Sequence, residues 1–403
     1  LMPSPEWLTA AHTSKLMAVF NAVRPDCARF VGGCVRNTIM HHVVDDIDIA
    51  TQLEPAAVLA ALEAADIRAI PTGLDHGTVT AIVDGTSFEI TSLRRDVSTD
   101  GRRAVVAFTE DWEEDARRRD FRLNAIYMTA EGQIWDPFNG VDDARRRQVV
   151  FIGDADQRLR EDYLRILRFF RFNAWYGGGI DPGGLAACQR HRDGLEQIAQ
   201  ERLWKEMQKL LAAPDPLPSV RAMLDSNVLS KIIGACQHDL VGLQTLLHNE
   251  RNLGLSPDPV RRLMTLVPRQ ERDALDLSAR LKLPNKARDR LRQWTAITLP
   301  AVSKSDRSLS IPDLSRLLYW HGCVAVLDRV LTDSGNDRCV PDAALVEFCS
   351  NWQRPSFPVS GDDALAAGLS GAKIGQALKR LEHDWVKSNF QLSRSSLLPK
   401  LRD

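Results

Sequence analysis

Two aspartates, Asp46 and Asp48, alternate with Ile47 and Ile49, and this tetrad constrains the chain more than any other feature. In a strand, alternate side chains share a face, so the isoleucines enter a core and both carboxylates point to the opposite side. Carboxylates held side by side repel unless something neutralises them. A pair of Mg²⁺ ions bridging nucleotide phosphates would do so, and would also activate an attacking oxygen. Gly32-Gly33 lies thirteen residues ahead of Asp46, between a predicted strand at Arg29-Phe30-Val31 and a predicted helix over 35–40. At such a junction backbone N–H groups approach phosphate oxygens without obstruction by a Cβ. Glu89, in Phe88-Glu89-Ile90, is a candidate third carboxylate on a neighbouring strand. The bland alternative is a solvated acidic strand edge, and the glycines weigh against it.

Two further clusters carry charge in patterns that suit a nucleotide. Asp115-Ala116-Arg117-Arg118-Arg119-Asp120-Phe121-Arg122-Leu123-Asn124 combines arginine forks, which hold phosphate, with carboxylates able to accept from a ribose hydroxyl. Asp162, Arg165, Arg168 and Arg171 recur every third residue, which on a helix gives a slowly drifting polar stripe over an apolar face of Leu164, Leu167 and Phe170. Taken alone, an arginine run reads as a solvated face and the stripe as surface ion pairs. The stripe also has a chemical reading. Cytosine and adenine both present an amino donor beside a ring acceptor; an aspartate accepts from the first and an arginine donates to the second. Uracil and guanine carry the reverse pattern and leave buried groups opposed.

The rest of the chain sets the frame. Its 403 residues exceed one ordinary core. Short strands and helices mix over the first 140 or so residues. A Pro-initiated helix is expected over 55–65, and strands over 79–83 and 87–92 joined by Asp84-Gly85. From residue 156 onward helical periodicity dominates, with ordinary amphipathic helices expected over 219–233 and 313–331. Seven cysteines are scattered without a CxxC pair, which excludes a zinc ribbon and suits a reducing cytosol. No long apolar run marks a membrane span, and no leader pattern is visible. The formal net charge of −1 means that any hold on nucleic acid comes from local basic clusters.

Phe30-Val31-Gly32-Gly33-Cys34-Val35-Arg36-Asn37, followed by Asp46-Ile47-Asp48-Ile49-Ala50-Thr51, resembles the opening motif of the class II tRNA nucleotidyltransferase and bacterial poly(A) polymerase family. The segment around Arg118, Arg119, Asp120 and Asn124 is similar to that family's second motif, which binds the sugar and triphosphate; Asp162 and Arg165 match its base-reading motif. Asn37 and Arg122 stand where the family usually has Asp and Thr. The resemblance implies a mixed-sheet, polymerase-beta-like α/β head over 1–140 and a helical neck over 141–215. An elongated, all-α body and tail over 216–403 completes the expected molecule.

It further implies a cytoplasmic, Mg²⁺-dependent enzyme that adds C, C and A to the 3′ end of tRNA from CTP and ATP. Asp46, Asp48 and Glu89 would be catalytic, the two aspartates holding metal. Gly32, Gly33, Arg36, Asp115, Arg118, Arg119, Asp120, Asn124, Asp162, Arg165, Arg168 and Arg171 would bind nucleotide. His76-Gly77-Thr78-Val79-Thr80 resembles the tRNA branch rather than the poly(A) branch, and the stretch 94–103 resembles the flexible loop of full CCA enzymes. A poly(A) polymerase, a CC-adding enzyme and a non-catalytic RNA-binding protein are the rivals. Basic candidates for gripping RNA lie at Arg261-Arg262, over 282–292 and over 373–380. His238-Asp239 and His383-Asp384 lack the context of a phosphohydrolase dyad.

Overall fold

The computed structural model describes residues 5–74, 77–99, 104–302, 307–333 and 339–402. The chain divides into two compact units, Leu1–Lys231 and Ile232–Asp403.

The first unit is built on a mixed sheet of seven strands: β1 Ala28–Val31, β2 Ile47–Thr51, β3 Arg68–Gly73, β4 Thr78–Val83, β5 Thr86–Ser92, β8 Tyr127–Met128 and β9 Ile134–Trp135, in the order β3-β4-β5-β2-β1-β8-β9. A separate two-stranded ribbon pairs β6 Arg94–Thr99 with β7 Ala104–Phe108. The expected strands and helices of this region form, with Pro55 opening the helix Pro55–Ala64. Asp84 and Gly85 both take positive φ, 49° and 82°, in the β4–β5 hairpin, as a tight two-residue connection requires.

Three elements depart from the sequence reading. β3 carries Pro71 and a register irregularity between Ile70 and Gly73, and the strand is tolerated because it lies at the sheet edge, where a missing N–H breaks no central ladder. The stretch expected to be a loop over 94–103 is an antiparallel ribbon in its described part, while Gly101, Arg102 and Arg103 lie outside the described residues, as does His76. The single helix expected over 219–233 is two, Leu217–Asp225 and Val228–Ile233, separated at Asn227, whose φ of 59° is left-handed.

Burial follows the strand alternation. Phe30, Ile49, Val79, Phe88 and Ile90 are almost wholly inside. Strand β2 runs parallel to β5 with Asp48 opposite Glu89. A helix, Leu164–Tyr176, buries Ile166, Leu167, Phe169 and Phe170. Phe169 stacks on Phe151 at 5.4 Å and lies 6.3 Å from Phe121, which ties this helix to the segment that follows Asp120.

The second unit is helical in its described residues. One of its cores gathers Leu246, Leu309, Leu318, Val326 and Cys349, another Tyr319, Leu381, Trp385 and Leu397. The helix expected over 313–331 spans Ile311–Leu331, with a break at Gly322, where φ is 78°.

Candidate active site

Asp48 and Glu89 lie opposite each other on adjacent strands, and Asp46 precedes Asp48 by two residues. Asp46 is exposed just ahead of β2, Asp48 is half-buried on it, and Glu89 is exposed across the parallel pair. Burial first, then the negative charge of Glu89, pushes the Asp48 carboxyl up to about 6, with Asp46 adding to it and Arg119 and Arg36 pulling back. Among the described residues none of the three carboxylates forms an ion pair with Lys or Arg. The site is therefore a concentration of negative charge that Arg119 and Arg36 offset without a direct ion pair. No cluster of three or more His, Cys, Asp or Glu side chains among the described residues is arranged to hold a metal. Two carboxylates plus oxygen ligands brought by a nucleotide suit a hard divalent cation, which commonly retains water and phosphate ligands.

The glycine junction lies against the arginine segment. Gly32 has φ of 71°, which disfavours a side chain, and a Cβ there would lie 3.8 Å from Arg119 Nη1 and 3.7 Å from the Asn124 carbonyl oxygen. Gly33 opens the helix Gly33–Ile39.

Asp115 sits beneath the arginines rather than at the surface, 1% exposed. Its carboxylate accepts from Arg118 Nε at 2.9 Å, Arg119 Nη2 at 3.1 Å, the Tyr127 hydroxyl at 2.8 Å and the Arg94 backbone N–H at 3.3 Å. Burial alone would raise its pKa, yet Arg119 and Arg118 bring it down to about 2. In this geometry the Asp115 carboxylate fixes the two guanidinium groups. Tyr127, which also accepts from Arg119 Nε at 3.1 Å, was not singled out by sequence, because an aromatic in a short strand looks like any core residue.

A second relay runs from helix to helix. Asp120 accepts from Arg168 Nε at 2.7 Å, from Asn124 Nδ2 at 3.0 Å and from the Phe121 backbone N–H at 2.8 Å. Asn124 Oδ1 accepts from Arg36 Nη1 at 2.6 Å. Arg36 is buried, donates to Asn37 Oδ1 at 2.8 Å and the Tyr176 hydroxyl at 2.8 Å, and lies 4.0 Å over the Tyr176 ring. Arg36, Asp120, Asn124 and Arg168 therefore form one brace, buried except at Arg168. Asn37 uses both ends of its amide, since its Nδ2 donates to the Val43 carbonyl at 2.7 Å. Arg122, the other departure, turns its side chain toward Asp143 at 4.0 Å. Its carbonyl oxygen would lie 2.1 Å from a Cβ at Gly140, so only glycine lets the helix Gly140–Arg146 approach.

The polar stripe is not continuous. The helix Ala155–Glu161 ends before Asp162, whose φ of −153° and ψ of 105° are extended, and the next helix begins at Leu164. Asp162 accepts from the Leu164 backbone N–H at 3.0 Å and faces Arg202 at 3.5 Å. Arg165 pairs with Glu161 at 2.6 Å and reaches the carbonyls of Arg158 and Arg118 at 2.7 and 3.3 Å. Asp162 and Arg165 are thus neighbours, each with its own partner, rather than two positions on one helical face. Arg171 pairs with the buried Glu206 at 2.6 Å. Arg158, buried, donates to the carbonyls of Arg118 and Arg119; no sequence pattern separates it from its neighbours.

Two of the three proposed RNA-gripping clusters are altered. Arg261 and Arg262 are buried in ion pairs, with Asp328 at 2.8 Å and Glu250 at 2.7 Å, so they offer no basic surface. Arg290 is likewise held by Asp258 and Asp328, leaving Lys286, Arg288 and Arg292 exposed on the helix Asn285–Ala296. Lys373, Lys379 and Arg380 are exposed on Ala372–Lys387.

Comparison with known proteins adds a lineage. The family described as "Poly A polymerase head domain" matches residues 28–150, and "Probable RNA and SrmB- binding site of polymerase A" matches residues 179–234. The mitochondrial CCA tRNA nucleotidyltransferase 1 of Homo sapiens is 34% identical over 387 residues, 93% of this chain and 86% of the human protein. A CCA-adding enzyme of Limosilactobacillus fermentum is 31% identical over 408 residues, covering 95% of this chain and 96% of its own length. In structure, the Bacillus stearothermophilus CCA-adding enzyme in complex with CTP matches 97% of this chain and 96% of its own, with a TM-score of 0.74 at 24% identity. With the sheet, the carboxylate face and the arginine brace in hand, the chain belongs to the CCA tRNA nucleotidyltransferase family.

Proposed function

We propose that this chain is the enzyme that adds C, C and A to the 3′ end of tRNA, using CTP and ATP and releasing pyrophosphate. The observation that carries the reading is Asp48 opposite Glu89, its carboxyl raised by both Glu89 and Asp46, with Arg119 beside the Gly32 junction. That arrangement suits an incoming triphosphate and a divalent cation, which we take to be Mg²⁺. Asp46 and Asp48 are the residues that would hold the cation. When bound, it neutralises phosphate charge and makes the attacking hydroxyl more acidic.

The tRNA 3′-oxygen forms a bond to the α-phosphorus, the bond from that phosphorus to the bridging oxygen breaks, and pyrophosphate leaves. Arg118 and Arg119, held in place by Asp115 and Tyr127, meet the phosphates. Glu89 tunes and orients the carboxylate face. Arg36, Asp120, Asn124 and Arg168 hold the head against the helix that follows Asp162. Asp162 accepts from the amino group of cytosine or adenine, and Arg165 donates to the ring nitrogen. Arg171, fixed by Glu206, supports that helix. The residues after 215 grip the tRNA by shape and backbone.

Seven free cysteines support work in a reducing compartment, the cytoplasm. Among the described residues no helix is long and apolar enough to cross a membrane.

The test is incubation of the purified chain with Mg²⁺, a tRNA lacking its terminal CCA, and labelled nucleotides singly and together. Two C followed by one A, with neither U nor G entering, is the expected result. A long A tail would assign poly(A) synthesis instead, and arrest after two C would assign CC addition.

A further inference from the structure

The second unit contains a cavity of about 360 Å³ whose walls include Gln237, Asp239, Arg269, Trp294, Arg329 and Asp333. Nothing in the reaction described above uses it. Two cations meet at its wall. Arg269 Nη1 donates to the carbonyls of Thr295 and Ile297 at 3.1 and 3.2 Å. Arg329 Nε donates to that same Ile297 carbonyl, at 3.2 Å. One neutral oxygen thus pins two guanidinium groups side by side, where their charges oppose each other.

One carboxylate offsets part of that charge and leaves Arg269 without an ion pair among the described residues. Asp333 pairs with Arg329 Nη1 at 3.5 Å, a longer and weaker contact than a tight charge-assisted hydrogen bond. Asp239 caps the helix Val241–Asn252, accepting from the Val241 backbone N–H at 3.0 Å. Burial holds the Arg329 pKa below its ordinary value, Asp333 opposes that, and Arg269 adds to it. The Arg329 side chain is only 10% exposed.

The surrounding wall is fixed. Trp294 Nε1 donates to Thr332 Oγ1 at 2.8 Å, and Gln237 Nε2 to the Val267 carbonyl at 3.2 Å. A preformed polar recess with two convergent arginine forks matches an oxyanion with several acceptor oxygens.

We infer that this cavity binds a phosphate group between Arg269 and Arg329, at a site separate from the carboxylate face of the first unit. The group comes either from free inorganic phosphate or from a phosphodiester of bound RNA. Arg269 is exposed, so its replacement leaves the fold intact, and Arg329→Lys keeps the charge while removing the fork.

The experiment is hydrogen–deuterium exchange on the full-length chain, titrated with inorganic phosphate to about 20 mM, then with tRNA lacking CCA. Saturable protection of peptides covering 265–269 and 329–333 is expected, weakened about tenfold in both Arg269→Ala and Arg329→Lys. Protection by phosphate alone assigns the free anion; protection by tRNA as well, with weaker tRNA binding in Arg269→Ala, assigns the RNA backbone. The inference is overturned if neither ligand protects these peptides, or if protection ignores both substitutions. Because the peptides lie far in sequence from Asp46 and Asp48, the outcome is independent of whether nucleotide addition itself is observed.

Discussion

At the scale of single residues, the carboxylate face and the arginines fail in different ways when altered. Asp46→Ala or Asp48→Ala should lower kcat by about 10³-fold or more, because removing a metal-holding carboxylate removes charge stabilisation that acts in the transition state. Binding of tRNA should stay within about twofold, and a filter-binding titration alongside the turnover assay separates the two. Asp115 answers to pH. Its folded pKa of about 2 lies below the ordinary 3.8, so the stability it contributes is fully present above that ordinary value and is lost as pH falls through about 2. The shift corresponds to about 2 kcal/mol. Asp115→Asn should lower stability at pH 7 by about 3 kcal/mol, since two partly buried guanidinium groups lose their buried counter-charge. The variant should also show a flatter stability profile between pH 4 and pH 2 in urea titrations. Asp162→Asn should admit uracil, because an amide N–H can meet its carbonyl oxygen; the ratio of UTP to CTP incorporation should rise by about tenfold or more. An unchanged ratio would remove Asp162 from the base-reading role. Most of these residues were visible in sequence because chemistry demanded unusual neighbours, two carboxylates in alternation or three arginines in a row. Tyr127, Arg158 and Glu206 were not, since a buried partner of a functional group carries no pattern of its own.

Elements show where local rules stop. Period-two and period-three patterns located β2, β5 and the helix Leu164–Tyr176, because each has one apolar face. The extended conformation of Asp162 was hidden: a repeat every three residues continues through a break just as well as through a helix. The buried pairs of Arg261 and Arg262 were equally hidden, since their partners Asp328 and Glu250 are separated from them by 67 and 12 residues. The brace between Asp120 and Arg168 joins elements 48 residues apart, and it makes a prediction about the helix as a whole. Arg168→Ala leaves Asp120, 7% exposed, without its charge partner, and should cost about 3 kcal/mol by chemical denaturation. If the brace also aims the helix, misincorporation should rise in the same variant under conditions where it remains folded.

For the molecule as a whole, a net charge of −1 limits how nucleic acid is held. Exposed basic side chains such as Lys286, Arg288, Arg292, Lys373 and Lys379 share the surface with acidic ones, Arg288 beside Asp289 and Arg292 beside Glu271, so the affinity for tRNA should fall only gently with salt. A plot of log affinity against log salt is expected to have a slope of about −3 or shallower. A slope near −8 would mean a far larger electrostatic footprint than these side chains provide.

The parallel pairing of β2 with β5 puts Glu89 opposite Asp48 and keeps every isoleucine of both strands inside. Because side chains alternate, the site depends on how many residues are counted along a strand as much as on which residues they are. One added residue at the Asp84-Gly85 turn is a spelling error in the margin, absorbed by the loop. The same residue added between Ser87 and Glu89 changes the parity of everything on one side of it. It would send either the carboxylate or the phenylalanine to the wrong face, with every original letter still present.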